Sequence, residues 1–234
     1  MKKQNAFTMA EVLITLGIIG IIVAMTLPSL VMKHRNKVFE SQFKKAYSIA
    51  SQALMLVKAE LEVSNLKNAF AIYNAQSDEY LNSKLFTDTF YEKVKSSTQE
   101  EYKNSIRNYT LDRDFTSNAI TCTPVNMLPD GSSICNKIWS NTISITIDIN
   151  GPKNGPNAFG HDIFMFIVND NDALIGQKPG VGDPDPDDKW YETNKRPCSK
   201  KYSTAGNGIG CSYYAIINKC PDDEGKNYWE CLPK

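Results

Sequence analysis

The stretch FTMAEVLITLGIIGIIVAMTL, residues 7–27, decides how the rest of this 234-residue chain is read. It carries one charge in 21 residues, Glu11. At 1.5 Å per residue it makes a helix of about 31 Å, long enough to cross the hydrocarbon core of a bilayer. Basic residues flank both ends, Lys2 and Lys3 before it and Lys33, Arg35 and Lys37 after it, so the charge bias does not orient it. A cleaved secretory signal has a shorter apolar core, about 7 to 15 residues, and the acid near the start of this run also sets it apart.

Downstream, Phe39, Phe43, Ala46, Tyr47, Ala50, Leu54, Val57 and Leu61 recur at steps of three and four, with Lys37, Glu40, Lys44, Lys45, Lys58 and Glu60 between them. That spacing predicts one amphipathic helix continuing to about Ser64 and Asn65, with an apolar stripe that packs on a globular domain. Gly17, Gly20 and Pro28 weaken the run, at about 1 kcal/mol per Gly and about 3 for Pro relative to Ala. The weakest part lies between Gly20 and Pro28. The chain therefore reads as a short basic N-terminal segment (1–6), a membrane helix (7–27), an amphipathic stalk (28–65) and a globular head (66–234).

Lys and Arg number 26, as do Asp and Glu, and the zero sum excludes the broad basic field of a dedicated nucleic-acid binder. No nucleic-acid partner is expected from bulk charge. The balance conceals a split, since residues 1–62 hold eight basic and four acidic side chains and residues 63–234 hold 18 and 22. Hydrophobic content of 41% excludes a wholly disordered chain.

All six cysteines, Cys122, Cys135, Cys198, Cys211, Cys220 and Cys231, lie in the second half without a C-x-x-C, and the chain has two histidines, His34 and His161. This usage favours disulfides over a zinc site and places the head in an oxidising compartment, which leaves residues 1–6 in the cytoplasm. Spacing suggests local loops, 122 with 135, 198 with 211 and 220 with 231, among many alternatives.

Within the head, residues 77–95 read as a helix capped by Ser77, with Leu81, Leu85, Phe86 and Phe90 on one face. Residues 142–149 alternate Ile143, Ile145, Ile147 and Ile149 with Ser144, Thr146 and Asp148, the pattern of a half-buried antiparallel strand. Residues 163–168, IFMFIV, read as a central strand, and 120–123 and 215–218 are weaker strand candidates. The fold class is α+β, a long N-terminal helix packed on an antiparallel sheet.

The loop NGPKNGPNAFGH, residues 150–161, is dense in turn formers. Asp148, Asn150 and Asp162 are oxygen donors of the kind Ca²⁺ takes, and capping of turns through side-chain to backbone bonds is the simpler reading of the same residues. The acidic run at 183–188 reads as an exposed extended loop. G-x-S-x-G, H-E-x-x-H and P-loop patterns are absent from the sequence, so the chain does not read as an enzyme and requires no cofactor.

Lys2-Lys3, Ala6-Phe7-Thr8-Met9-Ala10-Glu11 and an apolar helix with Pro28 near its end together resemble the class III signal of type IV pilins and type II secretion pseudopilins. The family most often has Gly before the cut, where this chain has Ala6, also small. The resemblance implies a pilin-like fold, cleavage between Ala6 and Phe7 by a prepilin peptidase, and N-methylation of Phe7. It makes Glu11 the family's acid, Gly20 its helix-weakening glycine and Pro28 its proline. It further implies a single-pass protein of the inner membrane that assembles, with copies of itself and other pilins or pseudopilins on a membrane platform, into a pilus or pseudopilus. Residues 148–164 are similar to a loop that recurs in the heads of some pseudopilin-like proteins. The competing reading is a single-pass anchored surface protein that binds a ligand through its C-terminal lobe and never polymerises.

Overall fold

The computed structural model describes residues 8–70, 78–102, 105–114, 124–139, 142–177, 197–204 and 206–233. The chain divides into two units, residues 1–38 and 39–234. In the first, the described residues belong to helix α1 (Met9–Glu60) apart from Thr8, and none of their side chains is buried. This is the one helix among the described residues long and apolar enough to cross a membrane. Pro28 lies inside it. The hydroxyls of Thr26 and Ser29 bond back to the carbonyls of Ile22 and Thr26 beside the place where proline interrupts the ladder.

The second unit is built on the rest of α1. Phe39, Phe43, Ala46, Ala50, Leu54 and Val57 are buried, as the spacing predicts, and Ala53 with them. Six antiparallel strands follow in sequence order, β1 (Thr98–Glu100), β2 (Val125–Met127), β3 (Ser133–Trp139), β4 (Thr142–Asp148), β5 (Ile163–Val168) and β6 (Leu174–Gly176). Register sets Ile145 opposite Phe166, Ile147 opposite Phe164 and Ile134 opposite Ile147, so one face of the sheet is a continuous apolar layer under α1. At its centre the Phe43 ring meets Phe164 edge-on at 4.7 Å and Trp229 at 5.4 Å. Lys45 pairs with Asp130 at 2.8 Å and Lys58 with Asp172 at 2.6 Å, fixing the helix at two heights.

Helix α1 stops at Glu60, short of the expected 65, and Glu62 takes a left-handed φ of 51°. The reason is that Asn65 begins the next helix instead of ending this one. Its side chain caps α2 (Leu66–Phe70) by accepting the Asn68 N–H at 2.7 Å, and Asp172 accepts the Leu66 N–H at 2.8 Å. Helix α3 (Asp78–Lys93) spans the predicted region, and Ser77 falls outside the described residues. Phe86, Thr89 and Phe90 are buried in it and Val94 just past its end, while Leu85 is 48% exposed, off the face that the spacing assigns it to.

Strand β4 is buried on both faces, where alternation predicts one wet face. Its polar side, Ser144, Thr146 and Asp148, is buried, with Thr146 and Asp148 lining a small cavity together with Tyr102 and Ile106, next to a second apolar cluster of Ile106, Phe159, Ile163, Met165 and Ile209. Residues 215–217 are the last turn of helix α4 (Cys211–Ile217), not a strand, because Asn218 at φ 50° supplies a left-handed C-cap. Residues 120–123 and 183–188 lie outside the described residues.

Cys198 is bonded to Cys211 and Cys220 to Cys231, the local pairs that spacing suggests. Cys135 is also disulfide-bonded, and Cys122 lies outside the described residues. At the β6 edge, the Leu174 carbonyl accepts the Tyr47 hydroxyl at 2.7 Å and the Gln177 N–H donates to Ser212 at 3.2 Å. Helix α4 crowds the same edge so closely that a Cβ on Gly176 would lie 2.3 Å from the Tyr213 nitrogen.

Phe43→Ala is expected to destabilise the head by about 3–5 kcal/mol, whereas Leu56→Ala, at a position 52% exposed on the same helix, changes it by less than about 0.5 kcal/mol. Denaturant midpoints of the two variants decide the matter. Equal losses would refute the burial pattern.

Candidate functional site

Two constellations carry the residues that the sequence singles out. The first is the start of α1. Thr8 is its N-cap and Glu11 the third helical residue, and the two bond reciprocally. The Thr8 N–H and hydroxyl both donate to Glu11 Oε2 at 2.8 Å, and the Glu11 N–H donates to the Thr8 hydroxyl at 3.2 Å. The arrangement answers backbone donors that a helix start leaves unpaired and sets the carboxylate at the positive end of the helix dipole. Thr8 was not singled out in the sequence, although Thr8-Met9-Ala10-Glu11 spells the T-x-x-E capping signature. Ala6 and Phe7 lie outside the described residues. Gly20 is exposed in mid-helix with nothing within 4 Å of where a Cβ would stand, so nothing in the described chain requires a glycine there.

The second is the loop between β4 and β5. Asp148 Oδ1 accepts the N–H groups of Asn150 and Gly151 at 3.2 and 2.8 Å, and Oδ2 accepts the Tyr102 hydroxyl at 2.9 Å. Asp162 Oδ1 accepts the Ala158 N–H at 2.7 Å and Oδ2 that of Asn157 at 2.8 Å. Each acid thus closes one turn of the loop. Gly151, at φ 83°, could take no side chain, because a Cβ would stand 2.2 Å from the Gly131 carbonyl oxygen. The far end of the loop is fastened to the C-terminal lobe, where Tyr228 donates its hydroxyl to the Gly160 carbonyl at 2.5 Å, and to the segment 105–114, where His161 Nε2 lies 2.8 Å from the Tyr109 carbonyl.

These contacts bear on calcium. All four carboxylate oxygens of Asp148 and Asp162 face N–H or O–H donors, a setting that a cation would oppose. The amide oxygens of Asn150 and Asn157 remain, two neutral groups where Ca²⁺ takes about six to eight oxygens. Among the described residues no group of three or more His, Cys, Asp or Glu side chains is placed to hold a metal. As arranged, the two acids of the loop serve as turn caps.

Residues 1–27 match the prokaryotic N-terminal methylation motif. No curated protein and no solved structure matches the chain. The chain thus carries a prepilin-type signal on a membrane-length helix, ahead of an α+β head.

Burial lifts the Asp148 carboxyl to about 8, with the nearby Asp162 charge as the second cause, and burial lifts Asp162 to about 6 against the pull of its backbone donors. A carboxyl whose folded value is raised contributes stability that is complete below its ordinary value and is lost as pH rises through the folded one. Asp148→Asn keeps an acceptor for the loop and removes the titration. Thermal melts are expected to show the variant gaining on the parent protein as pH rises from about 4, the ordinary carboxyl value, to about 8. A constant gap across that range would refute the raised values.

Proposed function

We propose that this chain is a prepilin-type subunit, cut between Ala6 and Phe7, methylated at the new amine of Phe7, and assembled through α1 into a type II secretion pseudopilus or a type IV pilus. The observation that carries this reading is the methylation motif over residues 1–27, with Glu11 the lone charge in an apolar helix surface that the described chain leaves bare. Residues 1–6 stay in the cytoplasm, where the prepilin peptidase acts, and the head with its disulfides lies on the far side of the membrane. The partners are the peptidase, membrane lipid, an inner-membrane assembly platform, and copies of this chain or related subunits.

Glu11 supplies the chemistry of assembly. A carboxylate in hydrocarbon costs about 2.5–3.5 kcal/mol and seeks a cation or hydrogen-bond donors. In the lone subunit Thr8 provides the donors. Cleavage creates a cation, the Phe7 amine, and in a staggered row of subunits the Glu11 of one chain meets the amine of the next. The exchange of Thr8 for a neighbour's amine satisfies the acid throughout and sets the axial step. One helix face laid on another with a fixed offset is a heterologous contact, and repetition without closure gives a filament. Gly20 and Pro28 bracket the stretch best able to loosen as the helices pack, since both lower helix stability without any contact in the chain that requires them.

N-terminal sequencing of the protein from cells with an active peptidase is expected to begin at methylated Phe7. An intact Met1 would leave the single-pass anchored binding protein as the reading. Glu11→Ala is expected to insert into the membrane normally while incorporation into sheared fibres falls on the order of tenfold or more; an undiminished fibre yield removes Glu11 from assembly.

A further inference from the structure

Three Asn-Gly steps occur in the chain, Asn150-Gly151, Asn154-Gly155 and Asn207-Gly208. This dipeptide permits a specific covalent change, because glycine has no Cβ to keep its backbone nitrogen from the side-chain carbonyl carbon of the preceding asparagine. In sequence the three are equivalent. In the fold they differ.

Asn207 is fully buried. Its Nδ2 donates to the carbonyls of Ser199 and Tyr202 at 2.8 and 2.5 Å, its Oδ1 accepts the Ser199 N–H at 3.2 Å, and the Gly208 N–H is held by the Pro197 carbonyl at 2.7 Å. Both the carbon to be attacked and the attacking nitrogen are fixed. At Asn150 the nitrogen is also engaged, since the Gly151 N–H donates to Asp148 Oδ1 at 2.8 Å in a buried turn.

Asn154 and Gly155 are exposed. No hydrogen bond engages the Gly155 N–H among the described residues, and a Cβ built at Gly155 meets nothing within 4 Å. The turn holds Asn154 by its own N–H to the Gly151 carbonyl at 2.9 Å and by its Nδ2 to the Asn150 carbonyl at 2.7 Å. The attacking nitrogen is left free.

We infer that Asn154 is a site of spontaneous deamidation in the folded protein, and that the fold protects Asn150 and Asn207. The Gly155 nitrogen attacks Asn154 Cγ and gives up its proton, and the side-chain nitrogen leaves as ammonia. Water then opens the five-membered imide at either carbonyl, which leaves aspartate or isoaspartate at 154. One ammonia departs and one water enters for each event, and the product is about 1 Da heavier with one more negative charge. The change alters the loop between β4 and β5. A carboxylate at 154 faces the Asn150 carbonyl that the amide had donated to, and it competes with Glu100 for Lys153, now paired at 2.8 Å. The inference rests on the fold of the loop and not on filament assembly.

The test is to hold the full-length protein, oxidised and folded in detergent, in warm, mildly alkaline buffer beside a reduced, urea-unfolded sample, and to follow peptides by mass spectrometry. Trypsin cuts after Lys153 and so puts Asn150 and Asn154 on different peptides. The folded sample is expected to gain about 1 Da at Asn154 as two isomers, at least about tenfold faster than at Asn150 or Asn207, while the unfolded sample reacts at all three. Gly155→Ala, for which the fold has room, is expected to slow the reaction at 154 on the order of tenfold with the melting temperature unchanged. Equal rates at the three sites in the folded protein, an inert Asn154, or a Gly155→Ala variant that reacts as fast as its parent would each overturn the inference.

Discussion

The contact on which the head depends is the seating of the α1 stripe in the apolar face of the sheet, with Phe43 at its centre. A sheet with an uncovered isoleucine and phenylalanine face cannot persist in water, and an amphipathic helix gains most of its stability from such a face. Phe164 and Phe166 on β5 and Trp229 near the chain end converge on Phe43 within 6 Å. The strands pair only with neighbours in sequence, so the sheet can form hairpin by hairpin. The helix contact joins residues almost 190 positions apart and completes the core last in any such order. The disulfide lobe shares this core through Trp229, Tyr228 and Cys211, while Phe159 of the loop from 150 to 161 joins the smaller apolar cluster with Ile106, Ile163, Met165 and Ile209.

The polar side of the sheet works by another rule. Asp148 and Asp162 are almost wholly buried, and each is surrounded by donors that also order a turn. Burial opposes their charge and the backbone N–H groups favour it, so the loop has few alternative conformations but a balance that protons can tilt. The same economy appears at Thr8 and Glu11, where one carboxylate oxygen answers two donors.

Much of this was legible in the chain. The apolar run and the three- and four-residue steps gave α1, and IFMFIV gave β5, because long or strongly patterned segments leave little room for another reading. The disulfide partners followed spacing because each closes a local loop. What escaped was what depends on distant neighbours. Strands β1, β2 and β6 have three residues each, too few to display a period. Alternation alone makes Ser144 and Thr146 a wet face, whereas both are buried, Thr146 beside Tyr102 and Ile106, which lie about 40 positions away in the chain. Residues 215–217 are apolar enough for either state, and only the left-handed turn at Asn218 decides for helix. The candidate site divided the same way: Glu11 stood out as an acid in an apolar run, while Thr8 beside it did not, and the donors around Asp148 and Asp162 appear only in three dimensions.

The edges of the sheet have one more consequence. An open strand edge is a template for whatever strand comes next, and a chain proposed to live packed among its own copies meets that hazard constantly. Here β1 is three polar residues long, and at β6 the Leu174 carbonyl accepts the Tyr47 hydroxyl, Gln177 just past the strand donates to Ser212, and α4 is pressed alongside. Neither end invites a guest strand. Heads brought close together can therefore touch without fusing into a continuous cross-molecule sheet.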